Sequence, residues 1–426
     1  MIDTIINIRP LCYNNVPADT SIAELAGKIK NKPALFVLLH EKNSVDQFAP
    51  QFWQYIEACK SAHARYLLID EYYKPYHHKF SHYFDQIHYV DWFWIRTWHQ
   101  AMVEKIYPVV NEYHPQINRF LFLGGKPDRL NRTRLLWKLS TTGALSQCRF
   151  SYFMSDERYT DSRKQIPEVS DEQFAKFVND HLRFLDKESY TNISGANAHL
   201  EHGQWHDEKI PTGVIYTPTI FSQLKFALVS ETFFDTGEGD GPRLSEKTFQ
   251  HISNCVPVLV AGDIGTSTLL QQMGFDTLDD QMAIENWDDP ERDNYLQVNN
   301  DYHKLYYCKL LSEFESYYDD IKESFWPPVG QVDKYPEIAK EAIDNFKYIT
   351  TDSELRLNAI VTNVDHLLKH SDPERLKQAA MHNKNVFLEQ GQNKHRQLEQ
   401  LLQTLKIKAT VEQVVSMRHI RNWKVY

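Results

Sequence analysis

Glu246 and Lys247 directly follow Ser245 in the stretch RLSEKTFQHISNCVPVLVAG, residues 243–262. Such a serine reads as the N-cap of a helix, its hydroxyl accepting from a backbone N–H of the first turn. A carboxylate in that first turn can accept two neighbouring hydroxyls. The adjacent ammonium can meet a phosphate at the positive end of the helix dipole. Glu231 closes the apolar run FALVSE (226–231), at the carboxyl end of a strand, where open α/β sheets bind ligands. The plain alternative is a glutamate favoured by the dipole beside a lysine facing water.

A second group lies in FLFLGGKPDRLNRTRLLWKL, residues 120–139. An apolar strand runs into Gly124-Gly125, and Lys126, Arg129, Arg132 and Arg134 lead into an amphipathic helix. A glycine turn lets backbone approach a ligand closely, and arginine forks onto phosphate oxygens. Solvated charges on a connecting loop are the plain alternative here. For proton transfer, Glu41 in LLHEKNS stands just after a strong strand. His40 is second choice, with Asp70 or Glu71 behind.

These residues need a scaffold. The runs 34–39, 65–70, 86–90 and 119–125 are expected strands, followed by 149–154, 213–216, 226–231 and 256–262. Helical periodicity between them, as in VDQFAPQFWQYIEACKSA and TWHQAMVEKIYPVVNEY, marks an α/β fold with crossover helices. The polar segment 160–210 reads as an insertion with a helix near DEQFAKFVNDHLRFL. From about residue 300 the pattern turns helical, and Asp372-Pro373 opens the longest tail helix. The expected organisation is a first domain over 1–116, a second over 117–300 and a helical extension over 301–426.

The chain of 426 residues carries 47 basic and 57 acidic residues, a formal net charge of -10, so no global field draws it onto nucleic acid or an anionic membrane. The aromatic-rich stretches YYKPYHH and VDWFWIRTWHQ are read first as core and interface packing. Cysteines 12, 59, 148, 255 and 308 show no C-x-x-C spacing, which argues against zinc and a disulfide framework and for a reducing, cytoplasmic setting. No window approaches the ~20 apolar residues of a spanning helix. Asp235, Glu238 and Asp240 lack the full ligand set of a calcium loop, and His77, His78 and His82 have no fixed third ligand; no metal is expected. Walker A, G-x-S-x-G and H-E-x-x-H motifs are absent from the sequence.

The strand ending Ser-Glu-Thr, then Ser-Glu-Lys-Thr-Phe, Val-Pro-Val and LLQQMGFDT together resemble the donor half of GT-B glycosyltransferases, notably the α-1,3-fucosyltransferase and exostosin-like families with phage and bacterial relatives. Those families usually show Thr-Glu-Lys where this chain has Ser245-Glu246-Lys247. Their Gly-x-Pro-x-x-x-x-Arg element resembles GKPDRLNR, and His382-Asn383 resembles their tail helix. The resemblance implies two Rossmann-like domains facing a cleft, and metal-independent, inverting transfer from a nucleoside-diphosphate sugar used as co-substrate, with no other cofactor. It implies a donor site of Lys126, Arg129, Arg132, Ser245, Glu246 and Lys247. Glu231 is expected to act on the sugar and Glu41 as base. The acceptor is a glycan, a protein or another molecule. Alternatives are a non-catalytic protein that binds nucleotide or glycan, and a phage-type DNA-base glycosyltransferase, which the acidic balance disfavours.

Overall fold

Strands buried on both faces read as continuous apolar runs rather than alternating ones, and this chain has two sets of them. The computed structural model describes residues 2, 4–8, 27, 29–39, 45, 48, 50–103, 113, 119–125, 132–152, 163, 166, 169–182, 221, 224–231, 234, 242–284, 288 and 356–416. Within these, the protein is α/β, built on two parallel four-stranded sheets.

The first sheet joins β1 (Thr4–Asn7), β2 (Pro33–Leu38), β3 (Ala64–Asp70) and β4 (Gln86–Val90) in sequential order, all parallel. Every crossover therefore steps the same way, and right-handed connections must all lie on one face. The side chains agree. Ile6, Phe36, Leu38, Leu67 and Ile69 pack against Phe52, Tyr55 and Ile56 of α1 (Pro50–Ala58) and against Tyr73 and Phe80 beyond β3. The alternate residues Ile5, Leu35, Val37 and Leu68 point the other way, where no crossover helix can reach them. They are covered instead by α2 (Trp92–Met102), whose first turn is capped by Asp91.

The second sheet contains β5 (Phe120–Gly125), β6 (Cys148–Tyr152), β7 (Phe226–Ser230) and β8 (Val258–Ala261) in the order β6-β5-β7-β8, again all parallel. Here the winding reverses. From β5 the chain steps outward through α3 (Arg132–Thr141) to β6, then returns past β5 to β7 and onward through α5 (Glu246–Ser253) to β8; α4 (Asp171–Phe177) lies on the return. Reversal puts helices on both faces. Leu135 and Leu136 of α3 and Phe174 of α4 pack with Phe120, Phe122 and Phe226 on one side. Phe249 and Ile252 of α5 pack with Leu121, Ala227 and Val229 on the other. The switch point falls between β5 and β7. Beyond β8 comes α6 (Thr266–Gln272).

C-terminal helices bind the halves together: α7 (356–370), α8 (Pro373–Thr404) and α9 (Val411–Ser416). Asp372 caps α8 by accepting from Glu374 N at 3.0 Å, with Pro373 in the first turn. Leu376, Ala379 and Ala380 of α8 sit in the core of the second sheet, whereas Phe387, Leu398 and Leu402 reach the core that both sheets share. There Trp94 of α2 stacks on Phe249 with ring centroids 5.2 Å apart, and lies 5.0 Å from Phe275 and 6.3 Å from Phe387. Such pairs add roughly 0.5–1.5 kcal/mol beyond the area they bury. The indole N–H groups of Trp94 and Trp98 donate to the carbonyls of Phe387 and Leu388, both at 3.1 Å. Gly391 makes this approach possible, because a Cβ there would stand 2.3 Å from Cδ1 of Trp98.

Three differences from the sequence expectations stand out. β1 was not anticipated. The helix expected from TWHQ begins at Trp92, inside the aromatic stretch. The helical extension packs inward: α7 enters the core of the second sheet, and α8 enters that core and the one both sheets share. The expected strand 213–216 and the helix over YHKLYYCKLLSEFESYYDDI lie outside the described residues. No helix among the described residues is long and apolar enough to cross a membrane.

Candidate functional site

β7 delivers Ser230 and Glu231 to the carboxyl edge of the second sheet, beside the switch point. Glu231 is buried, and its N–H donates to Ala261 O at 2.9 Å, which extends the pairing with β8. Both carboxylate oxygens turn toward α5. Oε1 accepts from Ser245 N at 3.0 Å and from Thr248 Oγ1 at 2.6 Å, while Oε2 accepts from Ser245 Oγ. Glu231, expected to hold sugar hydroxyls, therefore has protein donors on both oxygens. Its evident work is to fix the start of α5.

Ser245 is the N-cap, as its sequence position foretold. Its Oγ accepts from Lys247 N at 3.3 Å and from Lys247 Nζ at 3.1 Å. Lys247 Nζ also lies 3.5 Å from Glu246 Oε1. Glu246 Oε2 is buried and has no hydrogen-bond partner among the described residues. Burial pushes this carboxyl up, but Lys247 and Arg96 together outweigh burial and hold it below the usual glutamate range. Its side chain keeps 22% exposure. An ionised carboxylate with an unsatisfied oxygen at a helix N-terminus is suited to accept hydroxyl hydrogens. The neighbouring ammonium is suited to an anion.

Arg132 opens α3 and is buried. Its Nε donates to Ser230 Oγ at 3.3 Å and Nη2 to Ser230 O at 3.4 Å. Arg132 and Lys247, far apart in sequence, thus both reach the Ser230-Glu231 step, one directly and one through Ser245. Glu41, Lys126 and Arg129 lie outside the described residues.

The carboxyl end of β3 in the first sheet approaches the segment that leads into Ser245. Asp70 ends β3 and is buried; Oδ1 accepts from Tyr72 N at 3.0 Å, and Oδ2 has no hydrogen-bond partner. Burial, then Asp91, then Glu71 push its carboxyl well above the usual range, against the pull of the Trp92 N–H and Arg243. Asp91 is raised by burial too, although Lys394 lies 3.5 Å away. Arg243, in the segment leading into Ser245, stacks its guanidinium 3.6 Å from the Tyr72 ring centroid. Burial lowers its pKa to about 10, with Asp263 and Asp70 opposing. Arg96 of α2 lies over the Trp92 ring at 5.1 Å and acts on Glu246. Sequence reading passed over Arg96, Arg243 and Thr248. A lone arginine amid the aromatics of WFWIRTW was the one available hint.

Beneath Lys247, His251 is fully enclosed. Nδ1 pairs with Lys247 O at 2.6 Å, so the N–H sits there and Nε2 is an unprotonated, buried acceptor. Burial lowers its pKa to about 4 from an ordinary 6.5. An unfolded chain takes up this proton as pH falls below 6.5, whereas the folded chain takes it up only near 4. The stability that neutral His251 contributes is present above pH 6.5 and is lost as pH falls through about 4, roughly 3 kcal/mol in all. Urea unfolding of wild type and His251→Phe across this window should show the shallower acid decline in the variant; parallel curves would refute it.

Among the described residues, no group of three or more His, Cys, Asp and Glu is placed to hold a metal ion. His77, one of the histidines weighed for zinc, pairs instead with Tyr89 OH at 2.8 Å. Comparison with protein-family models, with curated proteins and with solved structures finds no match to the chain.

Proposed function

We propose that this protein is a glycosyltransferase of GT-B architecture that uses a nucleoside-diphosphate sugar. One observation carries the reading. Arg132 and the Ser245-Glu246-Lys247 turn converge on the same strand end, Ser230-Glu231, at a topological switch point. Support comes also from the first parallel sheet, whose β3 end is joined to the segment before Ser245 by Arg243 against Tyr72.

In this reading the Glu246 carboxylate receives the ribose hydroxyls, and Lys247 and Arg132 take the diphosphate. As the bond from anomeric carbon to phosphate oxygen breaks, negative charge grows on the leaving group. Fixed cations aimed at that charge lower the barrier without reorganising. Glu231 keeps α5 in register, so that Lys247 does not drift from the leaving oxygen.

The test is binding first, turnover second. A panel of UDP- and GDP-sugars is screened by thermal shift; a ligand at a hundred times its Kd stabilises the folded state by about 2.7 kcal/mol. The expected result is a rise in melting temperature with at least one of them and its loss in Lys247→Ala, followed by release of nucleoside diphosphate on incubation. A flat response to the whole panel overturns the proposal. A shift without any donor consumption reduces it to a nucleotide-binding role.

A further inference from the structure

We infer that Asp70 is the proton acceptor that activates the incoming hydroxyl, opposite the donor site. The inference deepens the glycosyltransferase reading and rests on it. Asp70 Oδ1 accepts from Tyr72 N and the Trp92 N–H bears on the carboxylate, but among the described residues Oδ2 has no hydrogen-bond partner although the residue is 94% buried, and a buried carboxylate oxygen without a partner is a rarity that calls for a reason. It stands at the carboxyl end of β3. Arg243, which leads into Ser245, is near enough to act on it and touches the ring of Tyr72. Asp70 thus lies across the Arg243–Tyr72 contact from the segment that leads into Ser245.

The step balances. The hydroxyl oxygen forms a bond to the anomeric carbon, and its proton passes to Asp70 Oδ2. The bond from that carbon to the diphosphate oxygen breaks, and its electron pair leaves with the nucleoside diphosphate. Attack from the face opposite departure inverts the carbon. Oδ2 is sealed in the closed arrangement, so admitting a hydroxyl requires local opening, and the Arg243–Tyr72 stack is one contact that must then part.

The groups that bear on Asp70 are Glu71 on the following turn, Asp91 at the start of α2, Lys394 of α8 paired with Asp91, and Arg243 with its own neighbour Asp263. Burial and the two carboxylates favour the protonated form, which makes Asp70 a stronger base once it is ionised. Activity should therefore rise with pH through a limb above the ordinary aspartate range.

The experiment follows release of nucleoside diphosphate from whichever UDP- or GDP-sugar shifts the melting temperature, with water as the acceptor. Asp70→Asn keeps an oxygen for Tyr72 N. It is expected to bind that donor as wild type does, to lose about 10²–10⁴-fold in rate, and to lose the limb. Asp91→Asn removes a negative neighbour, still caps α2, and should move the limb to lower pH, which a purely structural Asp70 would not produce. If Asp70→Asn consumes donor within about threefold of wild type, or Asp91→Asn leaves the limb in place, the assignment is overturned alone. If the wild-type chain binds none of the sugar nucleotides, or binds without consuming them, the catalytic reading falls and takes this assignment with it.

Discussion

Arg132→Ala is expected to slow donor consumption by about 10²–10³-fold, the range found when one preorganised donor to a developing negative charge is removed. The side chain is buried, and contacts of 3.3 and 3.4 Å to Ser230 aim its guanidinium along the strand end from which Glu231 and Ser245 extend. Both contacts are long for hydrogen bonds, and they orient the group at the strand end. Arg132→Lys keeps a charge but loses the planar fork, and should recover only part of the rate. Measuring melting temperature beside rate separates chemistry from folding. If Arg132→Ala folds and turns over donor within about threefold of wild type, the diphosphate is held elsewhere.

Arg356→Met should produce the largest loss of stability in the chain, about 3–5 kcal/mol, because it leaves a buried carboxylate without its countercharge. Arg356, at the start of α7, donates to Phe234 O at 2.6 Å, to Gly262 O, and to Asp288 Oδ1 at 2.8 Å; the pair is 5% and 0% exposed. Asp288 Oδ2 in turn accepts from Ser267 N at 3.0 Å in the first turn of α6. One guanidinium therefore ties the chain beyond β7, the end of β8 and the start of α6 behind the candidate site.

Burial raises the Asp288 carboxyl to about 6, with Arg356 pulling it down. The folded state then holds this proton more tightly than the unfolded chain, so the associated stability is complete below pH 3.8 and is lost as pH rises through about 6. Without Arg356 that loss should deepen. The variant should be weaker at pH 8 than at pH 5, and Arg356→Met with Asp288→Leu should recover most of the deficit. Denaturant unfolding at the two pH values decides it: equal stability of wild type and Arg356→Met would show that the pair contributes nothing.

What was legible in the sequence follows from how local each signal is. β2, β3, β5, β7 and β8 announce themselves through apolar runs, as buried parallel strands require, whereas β4 (QIHYV) and β6 (CRFSY) mix polar residues into short edge strands. β1, only TIIN, is too short to rise above its surroundings. The start of α2 was hidden because a helix buried all round has no polar stripe to set a period. Ser245, Glu246 and Lys247 were readable because a helix cap is written in adjacent residues. Their company was not: Arg96 arrives at Glu246 from α2, and Tyr72 meets Arg243 from a different sheet. Glu231 was placed correctly at a strand end, but its bond to Thr248 depends on the turn between β7 and α5, which no sequence period encodes.

The one-way winding of the first sheet has a consequence for biosynthesis. A ribosome delivers β1 to β4 early, yet Leu35, Val37 and Leu68 find their cover in a core completed by Phe387, Leu398 and Leu402 of α8, and Ile2 N meets Lys406 O at 3.1 Å. Until residues near 400 emerge, the nascent chain carries an uncovered sticky surface. Chaperone dependence and sensitivity to truncation within α8 should therefore show first in the half of the protein farthest from the cut.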